Sequence, residues 1–130
     1  MRVELTGLSF TESGSIVEFR CSAGEGAGLW VSNDPPRVGG TCDVELDVEA
    51  EMASEVRLRS GGVAGLRLRG EHVVLSGQLR VLPEEAVYLE VGGSTVSVEL
   101  PEDVDLPGES GDLVELTVAR TVVRLFPHNL

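Results

Sequence analysis

The sequence predicts an all-β protein, and three observations carry that expectation. Apolar and polar residues alternate with period two along most of the chain, convincing helical periodicity is hard to find, and short alternating runs are separated by glycine- and proline-rich clusters. Many short strands punctuated in this way point to a barrel or a sandwich.

The first run, 2–10 (RVELTGLSF), carries Val3 and Leu5 on one parity and Leu8 and Phe10 on the other, so a bulge near Gly7 is expected. After the turn at Ser13-Gly14, 15–21 (SIVEFRC) keeps Val17, Phe19 and Cys21 on one face. Ala23-Gly24-Glu25-Gly26 reads as a turn, and the strand 28–32 (GLWVS) that follows ends at Asn33-Asp34-Pro35-Pro36. Residues 42–52 (CDVELDVEAEM) alternate throughout, and 55–60 (EVRLRS) and 65–69 (GLRLR) flank Gly61-Gly62. The only helical option lies around Glu49 to Arg57, where alternation outside it favours strand. The runs 72–82 (HVVLSGQLRVL), 86–92 (AVYLEVG) and 94–100 (STVSVEL) follow, the last two meeting at Gly92-Gly93. Beyond Pro107-Gly108, 112–119 (DLVELTVA) and 121–126 (TVVRLF) complete the set.

Sliding the chain by 70 positions places VELTG (3–7) on VVLSG (73–77) and VELDV (44–48) on VELTV (114–118) without a gap. Over residues 3–51 the positions Val3, Leu5, Gly7, Val17, Val44, Glu45, Leu46 and Val48 are identical in the second copy. The expected architecture is therefore two pseudo-repeated five-stranded antiparallel units, 1–64 and 65–130, packed as one compact body. Units of that size form OB-like small barrels or a β-sandwich, with Gly7 and Gly77 absorbing curvature, although an OB-like order would lack a clear helix between its third and fourth strands.

A chain of 130 residues, 42% hydrophobic and 25% charged, can bury a core of its own without a metal or disulfide framework. Its opening MRVELTG has no apolar stretch long enough for a signal peptide, and no run approaches a membrane span, so a cytoplasmic protein that avoids membranes is expected. The balance of 22 acidic against 10 basic residues gives a formal net charge of −12, which repels phosphate backbones and favours a basic protein partner over nucleic acid. Every basic residue of the Lys/Arg class is arginine, so a lysine Schiff base, P-loop lysine and lysine general base are excluded.

The charge concentrates in the fourth run, where Asp43, Glu45, Asp47, Glu49 and Glu51 share one face opposite Val44, Leu46 and Val48. At the same offset the apolar residues are retained as Val114, Leu116 and Val118, whereas the carboxylates meet Leu113, Glu115, Thr117, Ala119 and Thr121. The inward face is what the fold demands; the outward acidic face belongs to the first half alone. A hairpin near Ser54 would set Arg57 against Glu51 and Arg59 against Glu49, leaving Asp43, Glu45 and Asp47 as an anionic strip for a basic partner.

Arg57, Arg59, Arg67 and Arg69 form the only basic cluster, a candidate grip for a phosphate or carboxylate beside Ser60-Gly61-Gly62 as well as a counterpart to the acidic row. Trp30, before the proline turn, is the best aromatic contact residue if it is exposed; burial in the core is its other reading. The loop 102–112 has EF-hand spacing at Asp103, Asp105 and Gly108, but Pro107 and Val114 stand where oxygen ligands are needed. Cys21 and Cys42 match no zinc spacing with His72 and His128 and read as buried thiols, bridged only if their strands are neighbours. No nucleophile elbow, zincin motif or dinucleotide fingerprint is present, and an aromatic content of 4% is poor provision for stacking bases. The expectation is a non-catalytic interaction or assembly module without cofactor or metal, with a homodimer through open strand edges as a further expectation. Small-anion binding at the arginines and nucleic-acid mimicry are the alternatives, and a carboxylate hydrolase ranks last.

Overall fold

The computed structural model describes residues 1–83 and 86–128, which form eleven strands and no α-helix. The strands are β1 (Arg2–Thr11), β2 (Gly14–Cys21), β3 (Gly24–Trp30), β4 (Thr41–Glu49), β5 (Val56–Ser60) and β6 (Gly65–Arg69). They continue as β7 (His72–Val81), β8 (Val87–Val91), β9 (Ser94–Glu99), β10 (Leu113–Ala119) and β11 (Val123–His128). No helix among the described residues is long and apolar enough to cross a membrane. The helical option near Glu49 to Arg57 reduces to a single 3-10 turn at Ala53–Glu55.

Eight strands close into a barrel in the order β1, β2, β3, β6, β7, β8, β9, β4 and back to β1. The other three are additions to it. β11 lies between β3 and β4, β10 runs along the second edge of β7, and β5 lies beyond β10. Because β11 joins β3 to β4, the strands β1, β2, β3, β11 and β4 also complete a shorter closed circuit.

Not every pairing is antiparallel. β3 pairs in parallel with β11 and with β6, and β4 pairs in parallel with β9. Alternation reports which face a residue takes and is silent about the direction of the neighbouring strand. The bulge anticipated at Gly7 is present, the register of β1 against β2 slipping between Leu5 and Gly7. In β7, Gly77 falls where one edge passes from β6 to β8. The turn expected at Ala23 to Gly26 is instead largely strand. Gly24 has φ +133° and a Cβ there would stand 2.0 Å from the Leu66 carbonyl oxygen, so glycine is required where β3 and β6 meet.

The hairpin expected near Ser54 does not form. β4 takes β11 as its antiparallel neighbour, and β5 crosses to β10, so Arg59 lies opposite Glu115 and Arg57 opposite Thr117. The two pairings share a register: Val56↔Val118, Arg57↔Thr117 and Leu58↔Leu116 stand beside Val123↔Val48, Arg124↔Asp47 and Leu125↔Leu46.

One continuous core runs through the molecule, with Val44, Leu46 and Val48 and their counterparts Val114, Leu116 and Val118 all buried. Leu125 is 0% exposed, held between Leu46 of β4 and Trp30 of β3. Leu58, opposite Leu116, is only half-buried. Truncating Leu125 to Ala should therefore cost about 2–5 kcal/mol of unfolding free energy, and Leu58→Ala about half as much, as read from urea denaturation.

Candidate interaction surfaces

β4 runs through the middle of a sheet, so its alternating carboxylates stand on the outward face while Val44, Leu46 and Val48 fill the interior. Neighbouring strands decide how each charge is met. Asp43 lies opposite Arg2, whose guanidinium approaches at 3.5 Å. Glu45, with 71% of its side chain exposed, lies opposite Phe126 and is 3.8 Å from His128 Nε2. Asp47 lies between Arg124 of β11 and Ser97 of β9. Glu49 pairs with Arg124 at 3.1 Å but also faces Glu99 across the parallel β4–β9 pair. Glu51 lies beyond the strand, in the turn.

This face thus gathers Asp43, Glu45, Asp47, Glu49 and Glu99 around two guanidiniums, Arg2 and Arg124. Arg2 reaches Asp43, and Arg124 lies beside Asp47, so two positions expected to be free of arginine each have one nearby. The negative charge still dominates. Burial, followed by the charges of Glu45, Glu49 and Glu99, raises the Asp47 pKa above its ordinary 3.8, and Arg124 only partly opposes them. The row from Arg124 through Asp47 and Ser97 continues to Tyr88, so Phe126 and Tyr88, both partly exposed, flank the carboxylates.

Trp30 takes the core reading. It is 8% exposed, lies opposite the inward Leu125, and its ring N–H donates to the Asp34 carbonyl at 2.7 Å, fastening the loop after β3. With Leu5, Arg37 and Thr41 it walls a cleft of about 430 Å³. Cys42 borders the same cleft, and its thiol pKa is raised, chiefly by burial and then by Asp43. Both cysteines are free thiols.

The four arginines stand on a second outward face, built from the strand order β5, β10, β7, β6. One row reads Arg59, Glu115, Ser76, Gly65 and the next Arg57, Thr117, Val74, Arg67, while Arg69 lies opposite His72. Arg59 and Arg67 reach inward from opposite sides to the Glu115 carboxylate, at 2.9 Å and 3.1 Å on different oxygens. The link from β5 to β6 passes over this pair: a Cβ on Gly62 would lie 3.1 Å from Glu115 Oε2 and 3.3 Å from Ser76 Oγ. Gly62, with φ +103°, suits that crossing for both reasons. Glu115 is consequently buried, with 4% of its side chain exposed. Burial by itself would raise its pKa, and the hydrogen bonds and charges of Arg67 and Arg59 overcome that and lower it. Arg57 and Arg69 make no ion pair among the described residues.

Glu115 is the residue that sequence reasoning passed over. The offset comparison does single it out, as the one carboxylate of the acidic row kept in the second half, but its burial depends on strands far away in sequence. Among the described residues no group of three or more His, Cys, Asp or Glu side chains could hold a metal ion. The 102–112 loop is braced internally, the Asp112 carboxylate accepting the Glu109 N–H at 2.8 Å.

The two carboxylates respond oppositely to pH. Because Glu115 is more acidic in the folded chain than its ordinary 4.5, its ionised form contributes stability above that value, lost as pH falls through the lower folded pKa. Glu115→Gln should cost about 2–3 kcal/mol at pH 7, a figure discounted for the exposed arginine heads, and the deficit should shrink in urea titrations taken below pH 4.5. Asp47 holds its proton more tightly folded than unfolded, so its ionisation opposes folding at neutral pH. Asp47→Asn should raise the urea midpoint at pH 7, with the gain vanishing as pH falls through the raised folded pKa towards 3.8. No protein-family model, curated protein or solved structure matches this chain.

Proposed function

We propose that this protein is a non-catalytic interaction or assembly module that presents the outward face of β4 to a basic protein partner. The observation that carries the reading is the gathering of Asp43, Glu45, Asp47, Glu49 and Glu99 on one face with only Arg2 and Arg124 among them. A basic partner would offset the repulsion from Glu45, Glu49 and Glu99 that adds to burial in raising the Asp47 pKa, and Phe126 and Tyr88 offer aromatic area beside the charges. The same strip could occupy a groove that otherwise takes nucleic acid. Small-anion binding at the arginine cluster is the weaker reading, because Arg59 and Arg67 are already engaged by Glu115.

We also infer that the chain is an internal duplication, 1–64 and 65–130, in which the fifth strands have changed places. The shared register of β5 on β10 and β11 on β4 supports this, as does the order of strands, three followed by a long connection and two more, in the first half and again after the joining strand β6 in the second. The circuit β1, β2, β3, β11, β4 would then be an OB-like barrel completed by a strand from the other unit.

Pull-down from the source cells in rising salt tests the interaction reading. Capture of a basic protein should fade by about 0.3 M salt and be lost when Asp43, Glu45 and Asp47 are changed together to Ser. Capture that the triple variant leaves intact would discard the strip as a docking surface.

A further inference from the structure

We propose that the open edge of β5 receives, in parallel, an extended segment of a partner protein in which apolar residues alternate with carboxylates. β5 pairs with β10 alone; among the described residues no strand lies along its other edge. The Gly61 N–H donates to the Leu113 carbonyl at 2.8 Å. Main-chain groups alternate along a strand, so those of Arg57 and Arg59 also point at β10, and those of Leu58 and Ser60 point out of the open edge.

The molecule shows elsewhere what such an edge accepts. β11 has the same opening Val-Arg-Leu as β5 and sits on β4 in the same register as β5 on β10. The corresponding edge of β11 is filled by β3, in parallel, with Arg124↔Leu29 and Leu125↔Trp30. The Val31 N–H completes that junction, donating to the Leu125 carbonyl at 2.9 Å. Under this cover Val123 and Leu125 are 1% and 0% exposed, whereas Val56 and Leu58 at the uncovered edge stay half-buried. The hydrogen-bonding groups and the apolar surface that β3 satisfies in β11 are thus left unsatisfied in β5.

Charge selects the occupant. On the outward face of β5, Arg57 has no ion-pair partner among the described residues, and Arg59 shares Glu115 with Arg67. A residue opposite Arg57 shares its face and is best acidic; one opposite Leu58 faces the core and is best apolar, as Trp30 is opposite Leu125. A second copy of this chain is a poor occupant. Two β5 strands joined antiparallel about a two-fold would bring arginines against arginines, and the acidic β4 has both edges engaged within its own fold.

A labelled, end-blocked peptide of about eight residues alternating Val and Glu serves as the probe, beside a Val/Lys peptide and a Val/Glu peptide of the same composition in two blocks. Fluorescence anisotropy should show saturable binding of the alternating acidic peptide only, and the Leu58 and Ser60 amides should gain protection from hydrogen exchange. Ser60→Pro, which removes an edge N–H that makes no bond to β10, and Arg57→Glu should each weaken binding by about tenfold. Arg69→Glu and the triple Ser variant of the acidic strip should leave it unchanged, which separates this edge from the face of β4. The proposal is overturned by equal binding of the block peptide, by undiminished binding to a folded Ser60→Pro variant, or by no binding at all. Self-association of the free protein that Ser60→Pro abolishes would overturn it too, by making a second copy the occupant.

Discussion

The seating of β11 between β3 and β4 is the interaction on which the remainder of this structure rests. One edge of β11 bonds antiparallel to β4 and the other meets the end of β3 in parallel, so Leu125 is enclosed by Leu46 on one side and Trp30 on the other. Without that strand the end of β3 and much of β4 would present unpaired main-chain groups over an exposed apolar interior, a combination that is costly and prone to association. The same seating arranges the outer surface. It carries Arg124 to Asp47 and Glu49, and Phe126 to Glu45, so the electrostatics of the first half are set by residues from the far end of the chain.

What the amino-acid sequence makes legible is the face each residue takes. Alternation found the eleven strands, the inward set of Val44, Leu46 and Val48 with its counterparts in β10, and the slip at Gly7. It could not find neighbours, because a period of two is the same whichever strand lies alongside. Arg57 and Arg59 were therefore assigned to the nearest acidic strand in sequence, when β5 in fact crosses to β10. Gly24 and Gly26 misled in another way. Glycine signals a turn on statistics, yet here it permits a strand to approach the Leu66 backbone and the Phe19 ring within distances that no Cβ would allow.

Of the four Val-Glu-Leu triplets in the chain, those at 44–46 and 114–116 are matched by the 70-residue offset, and their two glutamates have opposite fates. Glu45 stays in water beside Phe126 and His128, while Glu115 is buried beneath the Gly62 crossing and held by Arg59 and Arg67. The difference lies in the strand opposite: Phe126 occupies on β11 the place that Arg59 occupies on β5. A solvated carboxylate keeps its charge available to a partner, whereas a buried one spends its charge on the arginines that make its burial tolerable. The arginine cluster is thus first an internal clamp, and only Arg57 and Arg69 remain to act outward.

The arginines of β5, Arg57 and Arg59, also bear on why that strand can remain an open edge. An uncovered strand with a half-exposed apolar face invites pairing with any extended chain, and charged side chains are a common means of restricting the choice. For copies of this protein the restriction acts at two ranges. A formal net charge of −12 keeps whole molecules apart, and at contact the arginines of one β5 oppose those of another. At physiological salt the long-range part is screened within about 8 Å, so the selection at the edge falls to the immediate surroundings of Arg57. There the local sign is opposite to that of the molecule as a whole, which favours a segment whose own carboxylates lie on the strand that docks.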